Sequence, residues 1–307
     1  MRVSSLPRRG FTLLELLVVL AILATVGGGL LVAYDGLENQ AAKGQATNTI
    51  AALDNSVRAF TVAQRRAPNN LDSLVAVDTP QNPAGATSFA AILTLSGNIQ
   101  GKLTTARLTA AQAATLSAAG ITQLRYIDAQ GNLNTPGPHT LTIPAADGSS
   151  AAVGAISAVD IPARIFDVPR PGSGRNRGRG ASGAVAANAP VMTWLPGAGG
   201  IDHLKIGAGV ALSGSAVDPA NTDVLVALGL GNNCSMLADD PSTVGDVKLS
   251  AAPYYVDVSP TTYNRYILLY NLGTPNSPLA KAKLQAVVDS RGDFLDEEFA
   301  EYTGQKQ

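Results

Sequence analysis

The sequence predicts an α+β protein in which one long amino-terminal helix packs against a mainly antiparallel β domain. Three observations carry that expectation. An apolar run from Phe11 to Ala33 contains a single charge, Glu15. The stretch that follows, Tyr34 to Arg66, has no proline and places Ile50, Leu53, Val57 and Phe60 at steps of three and four, one stripe of a helix. Beyond Arg66 the chain turns to Ala, Gly, Ser, Thr and Pro with short β-branched and aromatic runs, which read as strands. Strands that follow one long helix bury their apolar face against it.

The first segment has the length of a membrane span. At about 1.5 Å per residue, Phe11–Ala33 reaches roughly 35 Å. Arg2, Arg8 and Arg9 precede it and would hold the amino end in the cytoplasm. Glu15 inside such a span costs about 2–3 kcal/mol even on lenient scales, so it needs a partner. A cut between Gly10 and Phe11 would supply one, an α-amino group close to the carboxylate. An ordinary secretory signal has a shorter apolar core and no acid at its start. A plain anchor accounts for the length but not for Glu15.

Arg8-Arg9-Gly10 followed by Phe11-Thr12-Leu13-Leu14-Glu15 resembles the class III signal peptide of type IV pilins and of type II secretion pseudopilins. The resemblance covers only about the first 55 to 60 residues. It implies cleavage after Gly10 by a prepilin peptidase, N-methylation of Phe11, and an assembly role for Glu15 against the amino terminus of a neighbouring subunit. It also implies partners: other pilin-like subunits, an inner-membrane platform protein and an assembly ATPase. The implied location is the bacterial inner membrane, single-pass, with a cytoplasmic amino end and a periplasmic carboxyl-terminal domain, or the outside of the cell in a filament. The implied fold is pilin-like, and the length of this chain calls for insertions.

The expected organisation is a leader at 1–10, a transmembrane and assembly helix at 11–33, its amphipathic continuation at 34–66, and a globular α+β domain at 67–307. That domain has a candidate subdomain split near 169–180. Gly27-Gly28-Gly29 costs the helix about 2–3 kcal/mol relative to alanine, and reads equally as a hinge or a packing face. Strands are expected at Gln123–Asp128, Thr140–Ile143, Ala155–Ile161, Val224–Leu228, Tyr254–Val258, Tyr263–Tyr270 and Gln285–Val288. Helices are expected at Leu71–Ala76, Ala110–Ala119 and Phe294–Tyr302, the second opened by a Thr109–Gln112 capping box.

The remaining chemistry is sparse. Cys234 is the single cysteine, which excludes an intramolecular disulfide and favours a pseudopilin or minor pilin over a disulfide-stapled major pilin. Pro169–Gly180 holds four arginines and no acid. It reads as a solvated loop; without aromatic residues to stack on bases, nucleic acid is not an expected partner. Asp289, Asp293, Asp296, Glu297 and Glu298 form an acidic cluster, in which Asp289, Asp293 and Asp296 are candidate calcium ligands, with the alternative that Asp293 caps the last helix and Asp296 and Glu297 stand in its first turn. No cofactor is otherwise expected. His139 and His203 sit in no metal-ligand spacing, and no nucleophile elbow or phosphate loop is present. Asp202 beside His203 could belong to a triad, but a polar surface histidine is the plainer reading, and no enzyme is expected. The expected function is that of a filament subunit, a type II secretion pseudopilin. Its rivals are a minor type IV pilin that binds a surface ligand or DNA, and an anchored domain that does not assemble.

Overall fold

The computed structural model describes residues 13–77, 82–87, 89–92, 95–128, 139–144, 150–156, 180–195, 222–231, 234–237, 249, 252–255, 258 and 262–304. In chain order its elements are α1 (Leu13–Gln64), β1 (Leu71–Val77), a 3₁₀ turn (Pro83–Gly85), β2 (Phe89–Ala91), α2 (Gly97–Gln100), β3 (Leu103–Arg107), α3 (Ala110–Ala118) and β4 (Gln123–Asp128). There follow β5 (His139–Pro144), β6 (Ser150–Ile156), β7 (Gly180–Ala184), β8 (Pro190–Trp194), β9 (Leu225–Gly229), β10 (Ile267–Thr274), β11 (Ser277–Val288) and α4 (Leu295–Thr303).

The 52 residues of α1 form one unbroken helix, about 78 Å long. It runs through Gly27-Gly28-Gly29 without interruption, and a Cβ at any of the three would meet nothing within 4 Å. The expected stripe is real. Ile50, Leu53, Val57 and Phe60 are all buried, joined by Ala46, and they enter a single core with the sheet. The other face carries Asp54 and Arg58, which form a bidentate ion pair one turn apart. The helix stops at Gln64, where Arg65 takes a left-handed conformation (φ 55) ahead of Pro68.

The sheet has nine strands, with a main path β11-β10-β9-β1-β4-β7; β8 joins β9 and β3, and β2 joins β1. Every pairing is antiparallel except β1 with β4. A separate two-stranded sheet is formed by β5 and β6. The β domain is thus mainly antiparallel and rests on the second half of α1, as expected. Thr109 accepts from the Gln112 amide while Gln112 Oε1 accepts from the Thr109 amide, so the capping box that starts α3 is present.

Several expectations are corrected. Leu71–Ala76 is not a helix but the body of β1, all seven residues of which are buried between β9 and β4. A short, continuous apolar run does not distinguish a buried strand from a helix by its period. A bulge between Asp72 and Ala76, with Leu74 at φ 61, further blurs the alternation. Among the described residues of the expected strand Tyr254–Val258, the isolated bridge Tyr254–Arg265 is present. Four strands, β2, β3, β7 and β8, are additional to those expected; the first three are rich in small residues or threonine. Residues 157–161 and the proposed split at 169–179 lie outside the described residues.

Candidate functional site

Two regions hold the residues that sequence singled out. The first is the start of α1. Gly10 and Phe11 lie outside the described residues. Glu15 sits in the first turn of the helix, where a carboxylate is favoured by the helix dipole. Around it Leu13, Leu14, Leu16, Leu17 and Leu20 are exposed, and so are Ile22 and Leu23 further along. Among the described residues, the first buried position of α1 is Ala46, and the apolar side chains of 13–26 stand exposed. Among the described residues no helix is long and apolar enough to cross a membrane; the expected span, 11–33, lies partly outside them.

The second region is the turn joining β11 to α4. Asp289 Oδ1 accepts from the backbone N–H groups of Arg291 and Asp293, both at 2.8 Å, which fixes the turn. Gly292 is required there: its φ is 85, and a Cβ would stand 3.0 Å from Ile99 Cγ1. Lys102 crosses from β3's amino end to donate to the Gly292 carbonyl at 2.7 Å and to Asp293 Oδ1 at 3.1 Å. From the first turn of α4, Glu298 comes back to this turn and accepts from the Tyr255 hydroxyl at 2.9 Å.

The result is a cluster of Asp289, Asp293 and Glu298, with a carboxylate oxygen from each lying within 4.8 Å of the others. Asp289 and Glu298 are fully buried, and each leaves an oxygen, Oδ2 and Oε2 respectively, with no hydrogen-bond donor. Burial, and then the Asp289 carboxylate, push the Glu298 carboxyl up to about 8; burial also raises Asp289. Burial likewise raises the Tyr255 hydroxyl. Two buried carboxylates with bare oxygens need either a shared proton or a cation between them.

Of the three candidate calcium ligands, two stand in this cluster. Asp289 and Asp293 are brought together, but Asp296 is not in the cluster and lines the cleft between α1 and α4 instead. Glu298 takes its place because the helical turn that carries Asp296 outward returns the residue two positions on toward Asp289. Asp293 does not cap α4; Phe294 holds the N-cap position, and its amide donates to Glu297 Oε2 at 2.8 Å. Three carboxylates with two donor-free oxygens suit a hard, oxygen-seeking divalent cation. Cys234 is buried. His139 lies in a strand whose backbone alone is described, and Asp202, His203 and the arginine-rich segment lie outside the described residues.

Comparison with known proteins addresses the first region. Residues 6–31 match the family model of the prokaryotic N-terminal methylation motif. This motif is the signature of type IV pilins and pseudopilins, and it supports a type IV pilin-like reading of the chain. The motif implies processing by prepilin peptidase and assembly with other pilin-like subunits. It spans the leader and the first part of α1, and not the β domain. No curated protein and no solved structure matches the chain.

Proposed function

We propose that this chain is a structural, non-catalytic subunit of a type IV pilus-like filament, specifically a type II secretion pseudopilin. The observation that carries the reading is the methylation motif at residues 6–31, set on a helix that is apolar and exposed in its first part and buried against the β domain in its second. Residues 11–33 hold the precursor in the inner membrane with the β domain outside the cytoplasm. Prepilin peptidase removes residues 1–10 and methylates Phe11. Glu15 then meets the new amino terminus of a neighbouring subunit, which offsets the cost of a carboxylate in apolar surroundings. The platform protein and ATPase drive extraction into a rod built from heterologous contacts.

Asp289, Asp293 and Glu298 would hold a calcium ion in this reading. The ion supplies positive charge to the donor-free oxygens and fastens α4 to the turn. The decisive experiment is intact mass of the mature chain together with cross-linking to sibling subunits. Loss of residues 1–10 plus one methyl group, and loss of cross-links in Glu15→Leu, are expected. An uncut amino terminus, or undiminished incorporation of Glu15→Leu, would overturn the proposal.

A further inference from the structure

We propose that the cavity between the end of α1 and β11 binds a small amphipathic organic acid as its carboxylate, with the Tyr270 hydroxyl donating to that carboxylate. The cavity holds about 500 Å³, within the range usual for small-molecule sites. Arg58, Thr61 and Val62 of α1 form one wall and residues 281–285 of β11 another. Ala67 and Tyr270, both buried, complete the lining. Ala67, Ala282 and Leu284 give it an aliphatic surface, so the body of the ligand is apolar. Lys281 and Lys283 are exposed and stand at its mouth.

Two independent observations set the charge of the ligand. The first is the Tyr270 hydroxyl, which is buried and has no hydrogen-bond partner among the described residues. Burial raises its pKa well above the ordinary value, so it stays protonated and is a donor. Its oxygen interacts electrostatically with the Arg58 guanidinium on the wall of the same cavity. A buried hydroxyl without an acceptor is costly to a fold, and an acceptor brought into the cavity relieves that cost. The second observation is the sign of the lining: it includes Arg58, Lys281 and Lys283 and no carboxylate. Asp54 meets the charge of Arg58, but neither lysine has an ion pair among the described residues. The adjoining cavity of about 730 Å³, which shares Arg58 and Gln285 with this one, is lined by Asp54 and Asp296. Those acids disfavour an anion there and leave the side of Tyr270 as its place. A bound carboxylate can accept from the buried hydroxyl with one oxygen and face the lysines with the other.

Titration of 4-(trifluoromethyl)benzoate into the full chain in dodecylmaltoside micelles, followed by fluorine NMR, tests this. The neutral 4-(trifluoromethyl)benzyl alcohol measures what partitions into the micelle. Saturable binding of the benzoate is expected, about tenfold tighter than that of the alcohol. Tyr270→Phe weakens it by about tenfold, while the Tm without the probe is unchanged or raised, because the lost hydroxyl had no partner in the fold. Lys281→Gln/Lys283→Gln weakens it by about threefold. Equal binding of the alcohol, an unsaturable titration, tighter binding of phenyl phosphate, or full affinity in Tyr270→Phe overturns the proposal. So does a lowered Tm or failed folding of Tyr270→Phe, which would show the hydroxyl bonded within the fold. None of these readings depends on filament assembly, so this site and the proposed function stand or fall separately.

Discussion

Tyr255 donates its hydroxyl hydrogen to Glu298 across 2.9 Å in a site from which water is excluded, leaving the other Glu298 oxygen without a donor. This one contact ties a loop ahead of β10 to the last helix of the chain. It also sets the pH behaviour of the carboxyl-terminal region.

The Glu298 carboxyl titrates at about 8 in the folded chain and at 4.5 ordinarily. Between those values the folded chain holds a proton that the unfolded chain releases, so the unfolded state binds fewer protons and stability falls as pH rises. The Glu298 contribution to stability in chelator, read as the difference in urea unfolding between the native chain and Glu298→Gln, is expected to be full below about pH 4.5 and to fall by up to a few kcal/mol by pH 8. Glu298→Gln flattens this slope. A slope unchanged in that variant would contradict the assignment.

Calcium should matter most where the proton is weakest. At pH 8 it is expected to raise Tm by several degrees in the native chain, by linkage to binding, and by almost nothing in Asp289→Asn. Calorimetric titration checks the same point, and heat of binding retained in Asp289→Asn would remove this residue from the site.

Asp289 has a second task, since its Oδ1 caps two backbone amides. Asp289→Ala leaves both without their partner in a buried turn, at a cost of about 2–4 kcal/mol. Guanidinium melts in chelator read this loss apart from any metal effect.

The contact of α4 with α1 is tight at one point. Tyr302 lies over Gly44, where an added Cβ would stand 3.0 Å from Tyr302 Cε2, and Lys43 pairs with Glu301 at 2.9 Å beside it. Gly44→Val is expected to push Tyr302 off the helix and speed amide exchange throughout 295–303, while the sheet keeps its protection. Unaltered exchange in α4 would show that its hold is elsewhere.

Phe60→Ala, at the end of the buried stripe, is expected to cost about 3–5 kcal/mol and to lower the unfolding midpoint without altering the filament contacts proposed for the first part of α1. Incorporation into filaments, scored at a permissive temperature, separates the two effects.

Much of the helix was legible because its signals are local. The spacing of Ile50, Leu53, Val57 and Phe60 needs no knowledge of the partner surface, and Thr109 with Gln112 makes its cap within one turn. The strands were harder. β7, with Gly-Ala-Ser-Gly-Ala, carries no β-branched residue, and its place is decided by pairing with β4. β1 reads as helix or strand until its neighbours are known. The carboxylate cluster was partly legible: Asp289, Asp293 and Glu298 all lie in one acidic run, but that Glu298 and not Asp296 meets the other two depends on the rotation of α4, and Tyr255 and Lys102 come from far along the chain. Glu15 stood out because a lone charge in an apolar run costs energy wherever it is placed.

The central position of β1 has a consequence for the order of folding. Its partners are β2, which follows closely, β4, about fifty positions on, and β9, whose residues come some hundred and fifty positions later; the stripe of α1 shares its core with β10 and β11, which come later still. Loops of that length must close before the core can form, and such non-local closure is slow. The amphipathic half of the helix therefore waits, uncovered, until almost the whole chain has been delivered. Whatever escorts the chain during delivery must shield that face, and a truncation before residue 267 should yield an aggregating species instead of a smaller domain.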